Sequence, residues 1–476
     1  MDELHYLSAA DSLRLFRSRE LSPVEVTAAI ISRAEEVEPR VNAFSETFYE
    51  RALVAARAAE ARYGGRGPRP RALEGITVAI KEVTPVKGQR TTNGSLIYAS
   101  APLEQQSAAL VERILRAGGI IHARTTSPEF TCVPFTHSRL WGVTRNPWNL
   151  NYSPGGSSGG AAVALATGAT TLANGTDIGG SVRMPAAFCG VVGFKPPYGR
   201  VPALPPFNLD HYSHEGPLAR TVADCALLEN TIAGPHGSDP VSLRPKVRVP
   251  PTLQGIEGWR IALSVDLDSY TVDADVAANT LAAAEALREA GAVVEEVNLG
   301  WTMADIIDAA RIHYGVIFGP YVDREVAAHR DLMTDYAIGF AERAAGVKKE
   351  ELVEGLEKEA RIHSGLAGVL DRYQALICPT LSAQAFVAGD DYIGHGPSVN
   401  GREIPEILET MMTVPFNICS RCPVISVPSG TSSSRLPTGL QIVGRTYDDV
   451  SVFRVAAALE RVRPWAQRRP EFASAS

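Results

Sequence analysis

Short apolar runs recur along the chain, and segments with helical periodicity separate many of them. The runs are four or five residues long and rich in β-branched side chains, which is typical of strands buried inside a sheet. They lie at 76–80, 119–122, 191–194, 260–264, 375–378, 424–427 and 440–443. The clearest helical segments lie at 107–115, 278–290 and 450–462. This alternation predicts an α/β protein with a mixed, mainly parallel central sheet covered by helices on both faces.

The same pattern predicts one large domain, 1–476, because no repeat, low-complexity tract or interdomain linker interrupts it. Residues 1–65 form a predicted N-terminal helical segment, in which Ser22, Pro23 and Glu25 have the pattern of a helix start. Residues 76–200 are the predicted core. The span from about 301 to 373 has helical periodicity and little strand signal, which predicts a cap-like insertion over a site.

Composition and charge narrow the class of protein. The chain has 46 basic and 53 acidic residues and a net charge of −7, so direct binding of nucleic acid is not expected. The start, Met1-Asp2-Glu3, lacks the basic and apolar regions of a signal peptide, and no apolar stretch is long enough to span a membrane. Six cysteines make no disulfide framework and favour a reducing compartment. We expect a cytoplasmic protein without a membrane partner, either a monomer or a homodimer.

No residue pattern predicts a metal ion or a cofactor. Cys419 and Cys422 form a C-x-x-C pair, but no second ligand pair lies at a spacing suitable for zinc. Cys422 leads directly into the apolar run at 424–427, which favours a buried structural position. The H-E-x-x-H motif of zinc hydrolases is also missing.

Glycine and serine dominate the most unusual segment, 153–200. Two Gly-Gly-Ser turns end at Ser157 and Ser181, 24 residues apart, and a helix of small residues follows the first one. Glycine permits positive φ angles and close backbone approach, so each turn can present its serine hydroxyl on a tight corner. Successive N–H groups in such a turn can also bind an anion. A nucleophile beside an anion site is what acyl transfer requires.

Three interpretations of this segment compete on the residues alone. Gly-Gly-Ser turns are common in ordinary loops. The stretch 155–159 also satisfies the G-x-S-x-G elbow of an α/β-hydrolase with a Ser-His-Asp triad, which His211 or His214 would complete from the Pro-rich loop 202–217. However, turn-like residues rather than a strand precede that elbow. A phosphate-binding loop is the third interpretation, but both common glycine-rich phosphate motifs are missing.

The segment 153–200 resembles the signature of the amidase signature family. Further similarity to that family lies at 76–82, at 216–224 and at 436–444, so the resemblance extends over most of the chain. It implies the amidase fold and a hydrolase that cleaves C–N bonds without a cofactor. It also implies that Lys81 is the base, Ser157 the bridging serine and Ser181 the nucleophile that forms an acyl-enzyme.

The resemblance implies further roles around this triad. The oxyanion hole is expected from the N–H groups of Ile178, Gly179, Gly180 and Ser181. Ser158, Asp177 and Arg183 are expected to support the loop, and the Gly156–Ser157 peptide is expected to be cis. Lys195 is a competing base, but it follows the nucleophile, whereas the family's base precedes it on a separate strand.

One residue departs from the family pattern. Glu82 follows the lysine where the family usually has Asp, which puts the support of the lysine in question. Burial of Lys81 at the end of its strand would disfavour the ammonium and lower its pKa. Because the lowering is expected to be incomplete, we predict an alkaline activity optimum.

The substrate is predicted less sharply. Phe130, Thr131, Cys132 and Phe207 are the expected contacts, by analogy with the family. Together with Tyr212, Tyr314 and Phe318 they form an apolar, aromatic set. This set favours a small or medium alkyl or aryl amide, with carbamates (urethanes) and esters as related substrates.

Two alternatives to a free-standing amidase stay open. One is the glutamine-hydrolysing subunit of glutamyl-tRNA amidotransferase, although the stretch 409–416 is apolar for a glutamine site. The other is a scaffold without activity, but Lys81, Ser157 and Ser181 are all present.

Overall fold

The structure, a computed structural model, describes residues 3–471. The prediction that no signal peptide begins at Met1 and Asp2 therefore falls on residues outside the described range. In chain order, the strands are β1 (Phe44–Thr47), β2 (Thr77–Lys81), β3 (Ile120–Thr125), β4 (His137–Ser138), β5 (Gly142–Val143), β6 (Leu172–Asp177), β7 (Val192–Lys195), β8 (His214–Ala219), β9 (Arg260–Leu263), β10 (Val293–Glu296), β11 (Ala375–Pro379), β12 (Ser398–Val399), β13 (Arg402–Glu403), β14 (Val424–Thr431) and β15 (Pro437–Gly444).

Eleven of the strands within residues 3–471 form one central sheet, in the order β1-β3-β2-β6-β8-β7-β14-β15-β11-β9-β10. The strand pairs β4–β5 and β12–β13 form two small separate sheets. Parallel pairing occurs in two blocks, β3–β2–β6 and β11–β9–β10. The pairs between these blocks, and the β1 edge, are antiparallel.

The prediction of a mixed α/β sheet in one large domain is confirmed. Of the ten pairings in the described range, four are parallel and six antiparallel, so parallel pairing is less extensive than a mainly parallel sheet implies. The reason is local: β14 and β15 are joined by a short turn, and only antiparallel strands can be joined in that way.

Helices flank the sheet. Those of the described residues are α1 (Ala9–Ser18), α2 (Pro23–Val41), α3 (Tyr49–Tyr63), α4 (Ala109–Arg116), α5 (Gly159–Ala166), α6 (Arg183–Cys189), α7 (Val222–Ile232), α8 (Ala274–Glu289), α9 (Met303–Ile317), α10 (Gly319–His329), α11 (Asp335–Ala345), α12 (Leu352–Leu370), α13 (Pro415–Ile418) and α14 (Asp449–Val462). The predicted start of α2 is confirmed, because Ser22 and Glu25 form a reciprocal capping box. None of the described helices is long and apolar enough to cross a membrane.

Alternation along β2 shows how the sheet divides the core. Val78 and Ile80 pack into a large apolar cluster with residues of α4, α7 and α14. Ala79, between them, packs on the other face against α5 and α6. A strand points successive side chains to opposite faces, so Lys81 follows Ala79 towards the face that carries α5. The fold thus directs the lysine at the end of β2 towards the N-terminus of α5.

Two adjacent strands on one side of β2, β6 and β8, were not predicted from the sequence. β6 contains Asn174, Gly175 and Thr176, which lack the apolar pattern of a strand. β8 contains Gly216 and Pro217 and lies where a Pro-rich loop was expected, so that loop prediction is wrong from His214 onwards. Both strands lie in the middle of the sheet, where hydrogen bonds to β2 and β7 outweigh their poor strand propensity.

Candidate active site

Lys81 lies at the carboxyl end of β2 and is completely buried. Its Nζ atom lies 2.8 Å from Ser157 Oγ, 2.9 Å from Ser158 Oγ and 2.8 Å from Thr176 Oγ1. Its backbone N–H donates to Asn174 Oδ1 over 2.9 Å, which fixes the end of the strand. The amine is therefore held by three neutral hydroxyl groups rather than by a carboxylate.

Burial has a direct effect on this amine. Removal from water disfavours the ammonium and lowers the pKa of Lys81 to about 7, although nearby acidic groups act in the opposite direction. A lysine with a pKa near neutrality is uncharged in a large fraction of molecules at physiological pH. Lys81 can therefore act as a base without an activating partner.

Ser157 lies in the turn before α5, and the peptide bond between Gly156 and Ser157 is cis, as predicted. A side chain at Gly156 would collide with the backbone of Phe135, so only glycine fits this position. Ser158 follows, and its hydroxyl lies 3.4 Å from the carbonyl oxygen of Thr176. The turn places two hydroxyl groups against the same buried amine.

Ser181 lies in the turn between β6 and α6, and the Ser158 N–H donates to its carbonyl oxygen over 3.2 Å. Ser157 and Lys81 have no exposed surface, whereas Ser181 is 5% exposed. Within residues 3–471 the Ser181 hydroxyl has no hydrogen-bond partner. Of the three predicted catalytic residues, Ser181 is the one that an incoming molecule can touch.

The predicted oxyanion hole is only partly free. The Gly180 N–H donates to Asp177 Oδ1 over 2.8 Å. It was one of the four predicted donors and is not available to an oxyanion. The N–H groups of Ile178, Gly179 and Ser181 have no backbone partner in the described range. Three amides of one turn thus remain available beside the exposed serine.

Asp177 and Arg183 form a fully buried ion pair below this turn. Arg183 Nη2 lies 2.9 Å from Asp177 Oδ1 and Nε lies 3.0 Å from Oδ2, a bidentate arrangement. Burial alone would raise the pKa of Asp177, but the Arg183 charge and hydrogen bonds from Arg183 and Asn417 hold it well below its usual range. The pair fixes both ends of the turn, because Asp177 also accepts from the Gly180 and Val182 N–H groups.

Lys195, the competing base, and His214, a candidate for the alternative Ser-His-Asp triad, have surroundings different from those of Lys81. Burial lowers the pKa of Lys195 to about 7 as well, but its Nζ atom lies 2.9 Å from the carbonyl oxygen of Cys422 and 3.3 Å from that of Ser420. His214 also contacts backbone carbonyl groups through both ring nitrogens, and neither nitrogen bonds to Ser157 or Ser181. The described residues therefore contain no Ser-His-Asp arrangement at either serine.

Aromatic side chains from distant parts of the chain meet near the turn of Ser181. Phe130 and Phe207 both lie edge-on to Tyr321 of α10, with ring centroids 6.1 and 5.4 Å apart. Ile178 and Cys132 belong to the same apolar cluster. Three of the four predicted substrate contacts are thus brought together, and Thr131 follows Phe130 in the same turn.

One group of side chains has the composition of a metal site. The candidate ligand atoms of Asp210, His211 and His313 lie within 4.8 Å of one another. However, His313 Nε2 lies 2.7 Å from Asp210 Oδ1, and its Nδ1 lies 3.6 Å from Glu359 Oε1. Both ring nitrogens are already engaged by carboxylates, so we assign no metal to this group.

Sequence reasoning missed two residues that contact the lysine, Thr176 and Asn174. Both lie on β6, which has no apolar alternation. The available signal was their spacing: they are two residues apart, as side chains on one face of a strand must be, and they directly precede Asp177.

Fold and site together correspond to the class of serine hydrolases that have a lysine rather than a histidine beside the serines. The Amidase family model matches residues 25–453, and the chain belongs to the amidase signature family. It is 34% identical to an acylamidase of Rhodococcus erythropolis over 98% of both chains. It is also 34% identical to a glutamyl-tRNA(Gln) amidotransferase subunit of Chloroflexus aggregans over 100% of both. The crystal structure of a bacterial aryl acylamidase superposes with a TM-score of 0.90, at 30% identity and 98% coverage of both chains.

Proposed function

We propose that this protein hydrolyses C–N bonds of small or medium apolar and aryl amides through an acyl-enzyme on Ser181. The observation that carries the proposal is the buried Lys81 amine, 2.8 Å from Ser157 Oγ, whose hydrogen-bond partners within residues 3–471 are hydroxyl groups rather than carboxylates. Relatives described as an acylamidase and an aryl acylamidase support the same reaction class.

In the first half of the proposed reaction, the Ser181 oxygen attacks the amide carbonyl carbon. The Ser181 proton passes to Ser157, and the Ser157 proton passes to the neutral Lys81 amine. The C–N bond then breaks as Ser157 gives one proton to the leaving nitrogen and takes one back from the Lys81 ammonium. In the second half, water attacks the acyl ester and loses a proton through Ser157 to Lys81. The C–O bond of the ester then breaks, the proton returns through Ser157 to the Ser181 oxygen, and the carboxylic acid leaves.

The negative charge that develops on the carbonyl oxygen needs donors in place before the reaction. The free N–H groups of Ile178, Gly179 and Ser181 are the proposed donors. Loss of one such donor lowers turnover by about 100- to 1,000-fold in other hydrolases. The Asp177–Arg183 pair holds the turn that presents them.

The substrate class rests on the aromatic cluster. Phe130, Cys132 and Phe207 lie in one apolar group with Ile178, one of the proposed oxyanion donors. An aryl or alkyl group of the substrate can bury its apolar surface there, which contributes about 25 cal/mol for each Å² removed from water. Carbamates and esters present a similar carbonyl carbon, and we propose them as further substrates.

The amidotransferase relative supports a second candidate function, glutamine hydrolysis within a larger assembly. That reaction needs polar partners for the charged end of glutamine. The stretch 409–416 instead places Met411, Met412, Val414 and Phe416 in an apolar cluster. We therefore rank glutamine hydrolysis second.

A hydrolysis panel tests the proposal. The substrates are an anilide, its matched carbamate, a primary aliphatic amide and glutamine, compared in the wild type and Ser181→Ala at about pH 8–9, where the Lys81 amine is neutral. We expect the wild type to cleave the anilide and the carbamate, and Ser181→Ala to lose at least about 10³-fold in kcat.

Two outcomes would redirect the assignment. Cleavage of glutamine alone would favour the amidotransferase function. Equal activity of Ser181→Ala and the wild type would exclude Ser181 as the nucleophile. A monomer or a homodimer in the cytoplasm stays our prediction, supported by six free thiol groups.

A further inference from the structure

The charges of three acidic residues favour the ammonium form of Lys81: Glu215 most strongly, then Glu82 and Asp177. Two of them already have partners. The Glu82 carboxylate accepts hydrogen bonds of 2.6 Å from the Ser127 and Thr92 hydroxyl groups. Asp177 is neutralised by its bidentate ion pair, described above. Glu215, the third acidic group, has one hydrogen bond, with the Asn174 side chain.

Glu215 lies on β8, directly opposite Thr176 of β6 in the antiparallel pairing. Opposite residues in such a pair point to the same face, with Cβ atoms about 4.5–5.5 Å apart. The Thr176 hydroxyl oxygen in turn lies 2.8 Å from Lys81 Nζ. The sheet register therefore places the Glu215 side chain beside Thr176, on the face that carries the Lys81 amine.

One oxygen of Glu215 is unsatisfied. Its Oε2 atom is buried and has no hydrogen-bond partner within residues 3–471. A buried carboxylate oxygen without a partner is costly, unless a positive charge lies nearby. The charge that fits is the ammonium that Lys81 becomes when it takes the proton from Ser157.

We propose that Glu215 is a positioning residue that acts through Lys81 as the counter-charge of the ammonium, and so sets the pH at which Lys81 is free to accept a proton. This inference rests on the proposed function, because it assumes that Lys81 is the base. Glu215 makes no contact with the reacting atoms in the mechanism above.

The titration of the two groups agrees with this geometry. Burial raises the pKa of Glu215, whereas the Lys81 charge and a hydrogen bond from the Asn174 side chain act against that rise and favour the carboxylate. Two groups that titrate in the same range and interact behave as a pair that shares protons. Near neutral pH the Lys81–Glu215 pair can therefore hold one proton between its members.

The consequence has a definite sign. The Glu215 carboxylate favours the ammonium form, so replacing Glu215 by glutamine removes that support, and Lys81 loses its proton at a lower pH. We expect the acid limb of the rate profile in Glu215→Gln to move down by about one pH unit. A role limited to packing would lower the rate at every pH and leave the limb in place.

The experiment measures the reaction of Ser181 with a small alkyl fluorophosphonate, which does not require the natural substrate. The second-order rate constant is followed by intact mass from about pH 5 to about pH 10, and peptide mapping confirms the modified serine. The proteins are the wild type, Glu215→Gln and Glu215→Asp. Glu229→Gln is the matched control, because Glu229 is also a buried glutamate and both of its oxygens lack a hydrogen-bond partner within residues 3–471. It is not one of the three acidic groups whose charges act on Lys81.

Glu215→Asp keeps a carboxylate on a shorter side chain, so its acid limb should lie between those of the wild type and Glu215→Gln. It gives a second measurement of the shift if Glu215→Gln does not fold. Glu229→Gln should keep the wild-type limb.

The outcomes separate the two proposals. Absence of labelling at Ser181 in the folded wild type would overturn the proposed function and this inference with it. Labelling of Ser181 with the same acid limb in the wild type and in the Glu215 variants would overturn only the inference.

Discussion

The chain buries two lysines near the active site, and their surroundings give them different roles. Lys81 is surrounded by hydroxyl groups that can pass protons, one of which belongs to Ser157. Lys195 contacts carbonyl oxygens, which accept hydrogen bonds but cannot pass a proton onwards, and lies 3.5 Å from His214 Nε2, whose ring bonds to neither Ser157 nor Ser181. The two lysines thus have similar pKa values but different chemistry, because their hydrogen-bond partners, rather than their burial, decide what each amine can do.

A pair of lysine-to-methionine variants tests this distinction. Lys81→Met should lower kcat by about 10²–10⁴-fold, the usual contribution of a general base. Lys195→Met should lower the free energy of unfolding by about 1–3 kcal/mol, because it leaves buried carbonyl groups without a donor, while kcat stays within about threefold of the wild type. Hydrolysis rates and urea unfolding of both variants measure the two effects. Comparable loss of kcat in both would contradict the assignment of Lys81.

At the scale of elements, a polar cluster ties two helices of the 301–373 span to the segment before β8. His313 of α9 bonds to Asp210 over 2.7 Å and lies 3.6 Å from Glu359 of α12. Its ring stacks on Tyr212 with the centroids 3.5 Å apart. His313 thus links α9 and α12 to the segment that leads into β8.

The stabilisation by His313 should depend on pH. Burial lowers the pKa of His313, but hydrogen bonds to Asp210 and Glu359 outweigh it and raise the pKa above the unfolded value of 6.5. The contribution is therefore complete below the unfolded pKa and is lost as the pH rises through the folded one. His313→Gln should lower the free energy of unfolding by about 1–3 kcal/mol at about pH 6, and by less at about pH 8.5.

Urea unfolding of the wild type and His313→Gln at both pH values gives this difference, and contributions from all other groups cancel. His363→Gln is the control, since His363 is exposed on α12 and has no ion pair within residues 3–471. A difference that grows with pH would contradict the proposed protonation of His313.

At the scale of the whole molecule, the two halves of the chain depend on each other at the active site. Lys81, Ser157 and Ser181 come from the first half of the sequence. Arg183, which supports their turn, bonds to Asn417 and Gln441, more than 230 residues away. The turn of Ser181 therefore has all of its supporting hydrogen bonds only when β15 and α13 have folded against it.

The reactivity of the thiol groups measures how well the folded protein shields its cysteines from solvent. Five of the six cysteines are buried, and Cys132, in the aromatic cluster, is partly exposed. At most one thiol of the native protein should react with a chromogenic disulfide, and six should react after denaturation, as counted by absorbance. Cys132→Ser should remove the native reaction. Rapid reaction of two or more thiols in the native protein would show that the fold opens enough to expose buried cysteines.

Sequence patterns located much of this structure where burial and regular periodicity coincide. The apolar runs at 76–80 and 375–378 correspond to β2 and β11 with shifts of one residue, since β-branched residues on both faces have no other plausible position. β6 and β8 could not be found in this way. Their residues serve the site: Thr176 and Glu215 face the lysine, and Gly175 leaves room for Ser158.

The residues of the candidate site likewise divide into those that the sequence predicted and those that it did not. Lys81, Ser157 and Ser181 were found through the family resemblance and through their glycine-rich turns. Glu215 has no local signature, because its proximity to the lysine depends on the register between β6 and β8. Strand register is set by pairing across the sheet, and a single sequence does not reveal it.

The three hydroxyl groups around Lys81 make the site a proton wire whose direction depends on the charge of the lysine. An ammonium has three hydrogens and can donate to all three oxygens, whereas the neutral amine has two hydrogens and one lone pair. When Lys81 loses its proton, one hydroxyl must therefore rotate and donate to it. The Ser158 hydroxyl can keep its contact with the Thr176 carbonyl oxygen, so Ser157 is free to turn. That rotation leaves the Ser157 lone pairs free to accept the Ser181 proton. Protons can therefore move from Ser181 towards Lys81 only once the lysine is neutral.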